Sequence, residues 1–207
     1  MTILTKELRD SLTPKEAIQL LKEGNSRFVN SLSIDRNLLK QVNESSDGQY
    51  PFAFILSCID SRTSAELIFD QGLGDIFSCR IAGNVLNDDI IGSMEFACKV
   101  AGAKLIMVLG HSECGAIKGA CDHLKMGKLT SLLKKIKPAI KSEKSIKTQR
   151  NSENFEFVQN VAALNTKHVL KQISKSSKII RELQKKGKIA LIAGMYDISK
   201  GNVEFYE

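Results

Sequence analysis

A cysteine, an aspartate and an arginine stand at every second position after an apolar run, in the stretch FAFILSCIDSRTSAELIFDQG that begins at residue 52. They are Cys58, Asp60 and Arg62. A cysteine thiolate binds metal ions, and a guanidinium can hold a carboxylate by two parallel hydrogen bonds. On an extended backbone, a spacing of two puts Asp60 and Arg62 on the same side. The stretch therefore indicates a metal ligand beside an oriented carboxylate, with an ordinary ion pair as the alternative.

A second group of candidate ligands lies in LGHSECGAIKGA, residues 109–120. His111 is expected just past an apolar strand, and a helix that begins near Glu113 would favour a thiolate at Cys114. Together with Cys58 they form a Cys₂His set without a fourth protein ligand, which is typical of a catalytic zinc site with an open position. A structural zinc is the alternative, whereas a redox pair is disfavoured because the chain has no C-x-x-C.

Apolar runs at residues 52–57, 76–80, 105–109 and 189–193 predict the strands that must position these side chains. A fifth run at 203–206 follows a predicted turn, and helical patterns lie between the strands. The alternation predicts an α/β fold: a central, mainly parallel sheet of four strands plus a C-terminal edge strand, flanked by helices. Chemistry gathers at the carboxyl ends of such strands, so Cys58 and His111 are expected side by side.

One domain is predicted over residues 1–207, with an N-terminal helical arm at 1–45. Within this arm, Thr13 is the expected N-cap, Pro14 the first helical residue, and Glu16 completes a capping box. The polar stretch 141–154 resembles a linker.

The net charge of +7 raises the question of a nucleic-acid partner. Ten of the 30 basic residues lie in 118–150 and eight in 167–188, interleaved with apolar residues at helical spacing. This pattern is typical of solvated helix faces, and stacking aromatics are missing there, so no nucleic-acid partner is expected.

No membrane span is expected, because the longest apolar runs are far too short. The start MTILTKELRD lacks a secretion signal, so a cytoplasmic location with reduced cysteines is predicted. The remaining cysteines, Cys79, Cys98 and Cys121, are expected to be buried core thiols, and His123 and His168 to be surface residues.

The pairing of C-x-D-x-R with H-x-x-C resembles the β-class carbonic anhydrases, and the likeness extends to GDIFSCRIAGN (74–84), GSMEFA (92–97) and IAGMYDISKGNVEF (192–205). The resemblance implies one Zn²⁺ per chain on Cys58, His111 and Cys114, with Asp60 and Arg62 as the catalytic dyad. The implied activity is reversible hydration of CO₂ to bicarbonate and a proton, by attack of zinc-bound hydroxide.

The same resemblance implies four substrate-binding positions. Gln49 matches a glutamine that hydrogen-bonds substrate, Phe77 an aromatic of the CO₂ pocket, and Gly115 lies beside Cys114. Phe96 departs from the tyrosine of many relatives. The chain has no tryptophan, which favours the plant-type open zinc site. A homodimer or homotetramer is implied, with Gln49, Phe77 or Phe96 reaching a neighbouring subunit's site.

Two other functions stay open. A related zinc enzyme acting on another linear heterocumulene such as CS₂ would share the ligands and differ in access to the pocket. A non-catalytic zinc-binding or basic interaction module would bind metal without hydrating CO₂. Competing substrates distinguish the first alternative, and elemental analysis with a CO₂-hydration assay distinguishes the second.

Overall fold

The computed structural model describes residues 4–206, which fold around one five-stranded sheet. Its strands are β1 (Ala53–Ser57), β2 (Ile76–Arg80), β3 (Leu105–His111), β4 (Ala190–Tyr196) and β5 (Val203–Tyr206). The order across the sheet is β2-β1-β3-β4-β5; the first four are parallel, and β5 runs antiparallel to β4 at the edge. The predicted fold class is confirmed.

Helices cover both faces of the sheet, which is why β1 and β3 are buried along their whole length. They are α1 (Lys6–Ser11), α2 (Pro14–Val29), α3 (Leu38–Glu44), α4 (Ala65–Ile68), α5 (Asp88–Glu95), α6 (Gly115–Cys121), α7 (Leu129–Lys134), α8 (Lys137–Ser142), α9 (Phe155–Ser176) and α10 (Lys178–Lys185). A 3₁₀ turn, Ala82–Asn84, follows β2, and a π-helical turn, Phe96–Val100, continues α5.

The N-terminal helices belong to the core of one face. The predicted capping box of α2 is present, since the Thr13 hydroxyl accepts from the Glu16 N–H and the Glu16 carboxylate accepts from the Thr13 N–H. Ala17 and Leu21 of α2 are fully buried in one cluster with Ile55 of β1. In this chain α2 therefore packs against the sheet.

The opposite face carries two clusters. Phe54 and Leu56, which alternate with Ile55 along β1, pack with α5, α9 and α10. A third cluster lies between α6, α7, α8 and the first half of α9, and it contains Cys58 and Cys114. The candidate metal ligands thus lie at the border between the sheet and this helical layer.

The stretch 141–154 is not a linker, contrary to the sequence prediction. The Glu143 carboxylate is buried and accepts hydrogen bonds from the N–H groups of Ser145, at 2.7 Å, and Ile146, at 3.1 Å, and from the Arg150 guanidinium. The Arg150 guanidinium also lies 4.6 Å from the centre of the Phe157 ring. A buried carboxylate therefore organises this polar segment, which hydropathy alone does not reveal.

Across residues 4–206, the helices lack the combination of length and apolar character that crossing a membrane requires.

Candidate active site

Cys58, Asp60 and Arg62 lie in the loop that leaves the carboxyl end of β1. The backbone does not stay extended there, as the spacing argument assumed, but turns so that the Arg62 N–H donates to Asp60 Oδ1 at 3.0 Å. This short-range bond is the local turn that an aspartate side chain favours. The two side chains meet because of the turn, and the predicted pairing arises from a different backbone conformation.

The two side chains form a two-pronged ion pair. Arg62 Nε lies 2.9 Å from Asp60 Oδ1, and a terminal guanidinium nitrogen lies 2.8 Å from Oδ2. The Asp60 side chain is 16% exposed and that of Arg62 is 53% exposed. The hydrogen bonds from Arg62 hold the pKa of the Asp60 carboxyl well below its usual range, so it is a carboxylate at neutral pH.

His111 and Cys114 come from the neighbouring strand end. His111 is the last residue of β3, paired with Tyr196 of β4, and so lies within the strand rather than just past it. Glu113 has a φ of +58°, a left-handed conformation in the turn between β3 and the next helix. That helix, α6, begins at Gly115 with Cys114 as its N-cap. The helix therefore begins two residues later than predicted.

The protonation of His111 can be inferred from its contacts. Its Nδ1 lies 2.8 Å from the Ser112 carbonyl oxygen, which can only accept, so Nδ1 carries the proton. Nε2 is then left with a free lone pair, is buried, and finds no hydrogen-bond partner among residues 4–206. A buried, unpartnered acceptor is costly unless a ligand satisfies it, and a carbonyl at the other nitrogen is typical of metal-binding histidines.

Cys58, His111 and Cys114 converge into a candidate metal centre. Their ligand atoms all lie within 4.8 Å of one another, the two sulfurs are 3.9 Å apart, and all three residues are buried. Two thiols and one imidazole are the donors that zinc prefers. Within the described chain, Asp60 is not part of this group, so its carboxylate is not placed as a fourth ligand.

The hydrogen bond between the two sulfurs favours a thiolate at Cys58 and a thiol at Cys114. A hydrogen bond with Cys114 lowers the pKa of the Cys58 thiol to about 4, and the hydrogen bond from the Gly83 N–H acts in the same direction. The same hydrogen bond, together with burial, raises the pKa of Cys114. The cluster thus holds one thiolate readily, and a bound cation would stabilise the second.

Arg80 and Thr63 brace the ligand loop, and the sequence analysis missed both. Arg80 Nε donates to the Cys58 carbonyl at 3.0 Å, and its guanidinium also donates to the Asp60 carbonyl. The Thr63 hydroxyl lies 3.1 Å from the Cys58 carbonyl oxygen and 2.9 Å from that of Asp60. Arg80 is the last residue of β2 and pairs with Ser57 of β1. Its position at the carboxyl end of a strand, the same feature that singled out Cys58, was therefore a signal in the sequence.

The predicted substrate residues are not all brought to the metal ligands of the same chain. Gly115 directly follows Cys114, at the start of α6. Gln49 is exposed and lies beside Gly74, at the amino end of the sheet, whereas the ligands lie at the carboxyl end. Phe77, near the start of β2, packs against Phe96, with ring centres 6.4 Å apart and Phe96 54% exposed.

The other cysteines and histidines lie outside the centre. Burial raises the pKa of Cys98 to about 12 and that of Cys121 to about 11, as expected for core thiols, whereas Cys79 is only half-buried. His123 is exposed as predicted. His168 is half-buried, with an Nε2 that finds no partner in the described part of the chain, so calling it a surface residue was wrong.

The chain is similar to known proteins over most of its length. A family profile described as carbonic anhydrase matches residues 53–203. A carbonic anhydrase of Mycolicibacterium smegmatis is 32% identical over 197 residues, which cover 92% of each chain. Carbonic anhydrase 2 of Mycobacterium tuberculosis is 44% identical over 122 residues, 56% of each chain.

Solved structures show the same fold. The β-carbonic anhydrase CcaA superposes with a TM-score of 0.71 at 27% identity, covering 92% of this chain and 95% of its own. Two β-carbonic anhydrases of Sordaria macrospora are described as tetrameric; one matches with a TM-score of 0.71 at 20% identity, covering 92% of this chain and 96% of its own, which shows a shared fold. On the profile match and the relative that is similar over nearly its whole length, the chain belongs to the β-class carbonic anhydrases, a family of lyases.

Proposed function

We propose that this chain catalyses the reversible hydration of CO₂ to bicarbonate and a proton, with one Zn²⁺ held by Cys58, His111 and Cys114. The observation that carries the proposal is the convergence of the ligand atoms of three buried residues within 4.8 Å, with a buried His111 Nε2 that has no hydrogen-bond partner among residues 4–206. When bound at such a site, zinc lowers the pKa of a water molecule in its open position and so supplies a nucleophile near neutral pH.

The dyad residues have distinct roles in this proposal. Asp60, kept ionised by Arg62, accepts a hydrogen bond from the nucleophile and directs its lone pair at the substrate carbon. Arg62 occupies both carboxylate oxygens and so keeps Asp60 from competing for the open position. Arg80 and Thr63 hold this loop in place by hydrogen bonds to the Cys58 and Asp60 carbonyls.

Metal analysis combined with stopped-flow CO₂ hydration tests the proposal. We expect one zinc per chain, and Cys58→Ser or His111→Ala should lose both the metal and the activity. Cys98→Ala is the matched control, since it removes a buried thiol outside the ligand cluster and should keep both. Fully active protein without zinc would refute the proposal.

The active enzyme is proposed to contain at least two copies of the chain. Gln49, Phe77 and Phe96 lie away from their own chain's ligands, and the exposed ring of Phe96 leaves an apolar surface that a second copy would bury. The Sordaria relatives described as tetrameric support the same assembly. CO₂ and bicarbonate would then bind between a metal centre and residues of the neighbouring subunit.

Substrate range is tested by offering CS₂ beside CO₂. Preferred turnover of CS₂ would assign the chain to the related heterocumulene enzymes, whereas zinc binding with no turnover of either would indicate a non-catalytic module. Location in the cytoplasm stays a prediction from the sequence.

A further inference from the structure

Gly83 lies between the two loops that carry the metal ligands. It is the middle residue of the 3₁₀ turn after β2, is buried, and has a φ of +67°. Its N–H lies 3.4 Å from the Cys58 sulfur and donates to it. A Cβ at this position would lie 3.0 Å from Ile136 Cδ1 and 3.2 Å from the Ala116 Cβ. A side chain at this position would therefore press on Ile136 and Ala116, and the positive φ also favours glycine.

The direction of the Gly83 N–H is not determined by its own conformation. Glycine populates a wide range of φ and ψ, so hydrogen bonds around Gly83 must hold the turn. The Asn84 N–H donates to the Ile81 carbonyl at 2.9 Å, and the Gly83 carbonyl accepts a side-chain hydrogen bond from α9. The donor is Asn165, whose Nδ2 lies 3.0 Å from the Gly83 carbonyl oxygen. Asn165 is 1% exposed, and its Oδ1 finds no partner within residues 4–206. In the described part of the chain, the side chain of Asn165 thus makes its one hydrogen bond to this turn.

We propose that Asn165 is a positioning residue for the metal centre, which holds the Gly83 turn so that the Gly83 N–H donates to the Cys58 thiolate. The inference rests on the zinc site proposed above. Asn165 lies 107 positions after Cys58 in the sequence, and it reaches the ligand through a single backbone residue.

Two effects follow for a metal-bound thiolate. A hydrogen bond to the sulfur stabilises its charged form and holds the ligand atom in place before the metal arrives. It also withdraws electron density from the sulfur, so the thiolate donates less charge to the metal. Loss of Asn165 should therefore weaken metal binding and make Cys58 a stronger electron donor in the variant that still binds.

The experiment measures zinc affinity by chelator competition and the sulfur-to-metal charge-transfer band of the Co²⁺-substituted protein. Asn165→Ala is expected to bind zinc roughly 10- to 100-fold more weakly than wild type. Its Co²⁺ charge-transfer band should shift to longer wavelength, because a more electron-rich thiolate transfers charge at lower energy. Asn165→Ser, which keeps a shorter donor, should show smaller changes in both quantities and serves if the alanine variant does not fold.

Asn25 offers a matched control. It is also a buried asparagine whose Nδ2 donates to backbone carbonyls, those of Ile68 and Gly201, which belong neither to the candidate ligands nor to the Gly83 turn. Asn25→Ala should lower the thermal stability and leave zinc affinity and the Co²⁺ band unchanged. A folded Asn165 variant with wild-type affinity and band would overturn the inference, whereas wild-type protein that binds no zinc would instead refute the proposed function.

Discussion

Asp60 receives two side-chain hydrogen bonds and one backbone hydrogen bond from a single residue, Arg62. One guanidinium thus orients one carboxylate, beside the buried candidate ligands Cys58, His111 and Cys114. The Arg62 side chain is half exposed, so the ion pair contributes little to the stability of the fold. Its proposed role is to orient the Asp60 carboxylate.

Replacing Arg62 should therefore separate catalysis from stability. In Arg62→Ala we expect kcat/KM for CO₂ hydration to fall by roughly 10²-fold or more, with zinc content and melting temperature close to wild type. Arg62→Lys keeps the charge but lacks the planar guanidinium, so its kcat/KM should lie between those of wild type and Arg62→Ala. Stopped-flow kinetics with metal analysis measure this, and wild-type rates in Arg62→Ala would show that the pair is only structural.

At the scale of elements, close backbone approaches decide where helices can lie. Gly24 is in the interior of α2, where glycine usually costs stability, yet a Cβ there would lie 1.8 Å from the carbonyl oxygen of Phe69. The glycine is therefore required by the contact between α2 and the end of α4.

Gly24→Ala tests this contact. We expect it to lower the free energy of unfolding by about 1–3 kcal/mol or more, because a backbone atom cannot move aside as a flexible side chain can. Gly119→Ala in α6 is the control: its Cβ would meet neighbours at 3.5 Å, so better helix propensity should leave stability equal or higher. Urea denaturation measures both variants, and equal stability of Gly24→Ala and wild type would contradict the account.

The segment after α8 makes a pH-dependent contribution to stability. Burial would raise the pKa of Glu143, but hydrogen bonds from Ser145, Ile146 and Arg150 outweigh it and lower the pKa to about 2. The ordinary value is 4.5, so the stabilisation is complete above about pH 5 and is lost as the pH falls towards 2.

Glu143→Gln should remove this contribution, by roughly 1–3 kcal/mol at pH 7. The stability difference between wild type and variant should stay constant from pH 7 to pH 5 and narrow between pH 4.5 and pH 2. Urea midpoints of the two EDTA-treated proteins at pH 7, 5, 4 and 3 measure this. A difference that does not change with pH would show that the carboxylate contributes by packing alone.

At the scale of the whole molecule, the proposed site spans two copies of the chain. The strand β1 has five residues and spans about 16 Å, with Gln49 before its amino end and Cys58 after its carboxyl end. Gln49 therefore cannot reach the metal ligands of its own chain along this strand, and a neighbouring chain is needed if it contacts substrate.

Mixing two inactive variants tests this assembly. Cys58→Ser lacks the metal, and Gln49→Ala lacks the proposed substrate contact, so each homo-oligomer should have low activity. A mixed dimer combines intact ligands from one chain with an intact Gln49 from the other, so co-refolding should restore one working site. Stopped-flow assays of the mixture measure this, and activity no higher than the average of the two variants would exclude a shared site.

The local pattern of this chain was enough to predict its strands, the capping box of α2, the convergence of Cys58, His111 and Cys114, and the pairing of Asp60 with Arg62. Apolar runs report burial, and the parallel arrangement brings strand ends together, so Cys58 and His111 could be paired from their positions alone. The turn that joins Asp60 to Arg62 was not predicted, although their pairing was.

Contacts made through backbone atoms and between distant segments required the folded structure. Arg80 and Thr63 bind main-chain carbonyls, Gly83 approaches Cys58 through its N–H, and Glu143 organises a polar loop. Main-chain groups are the same in every residue, so no spacing of side-chain types identifies which main-chain groups Arg80, Thr63 and Glu143 contact. Hydropathy predicts which segments are buried, but which groups meet there depends on how the strands and helices pack.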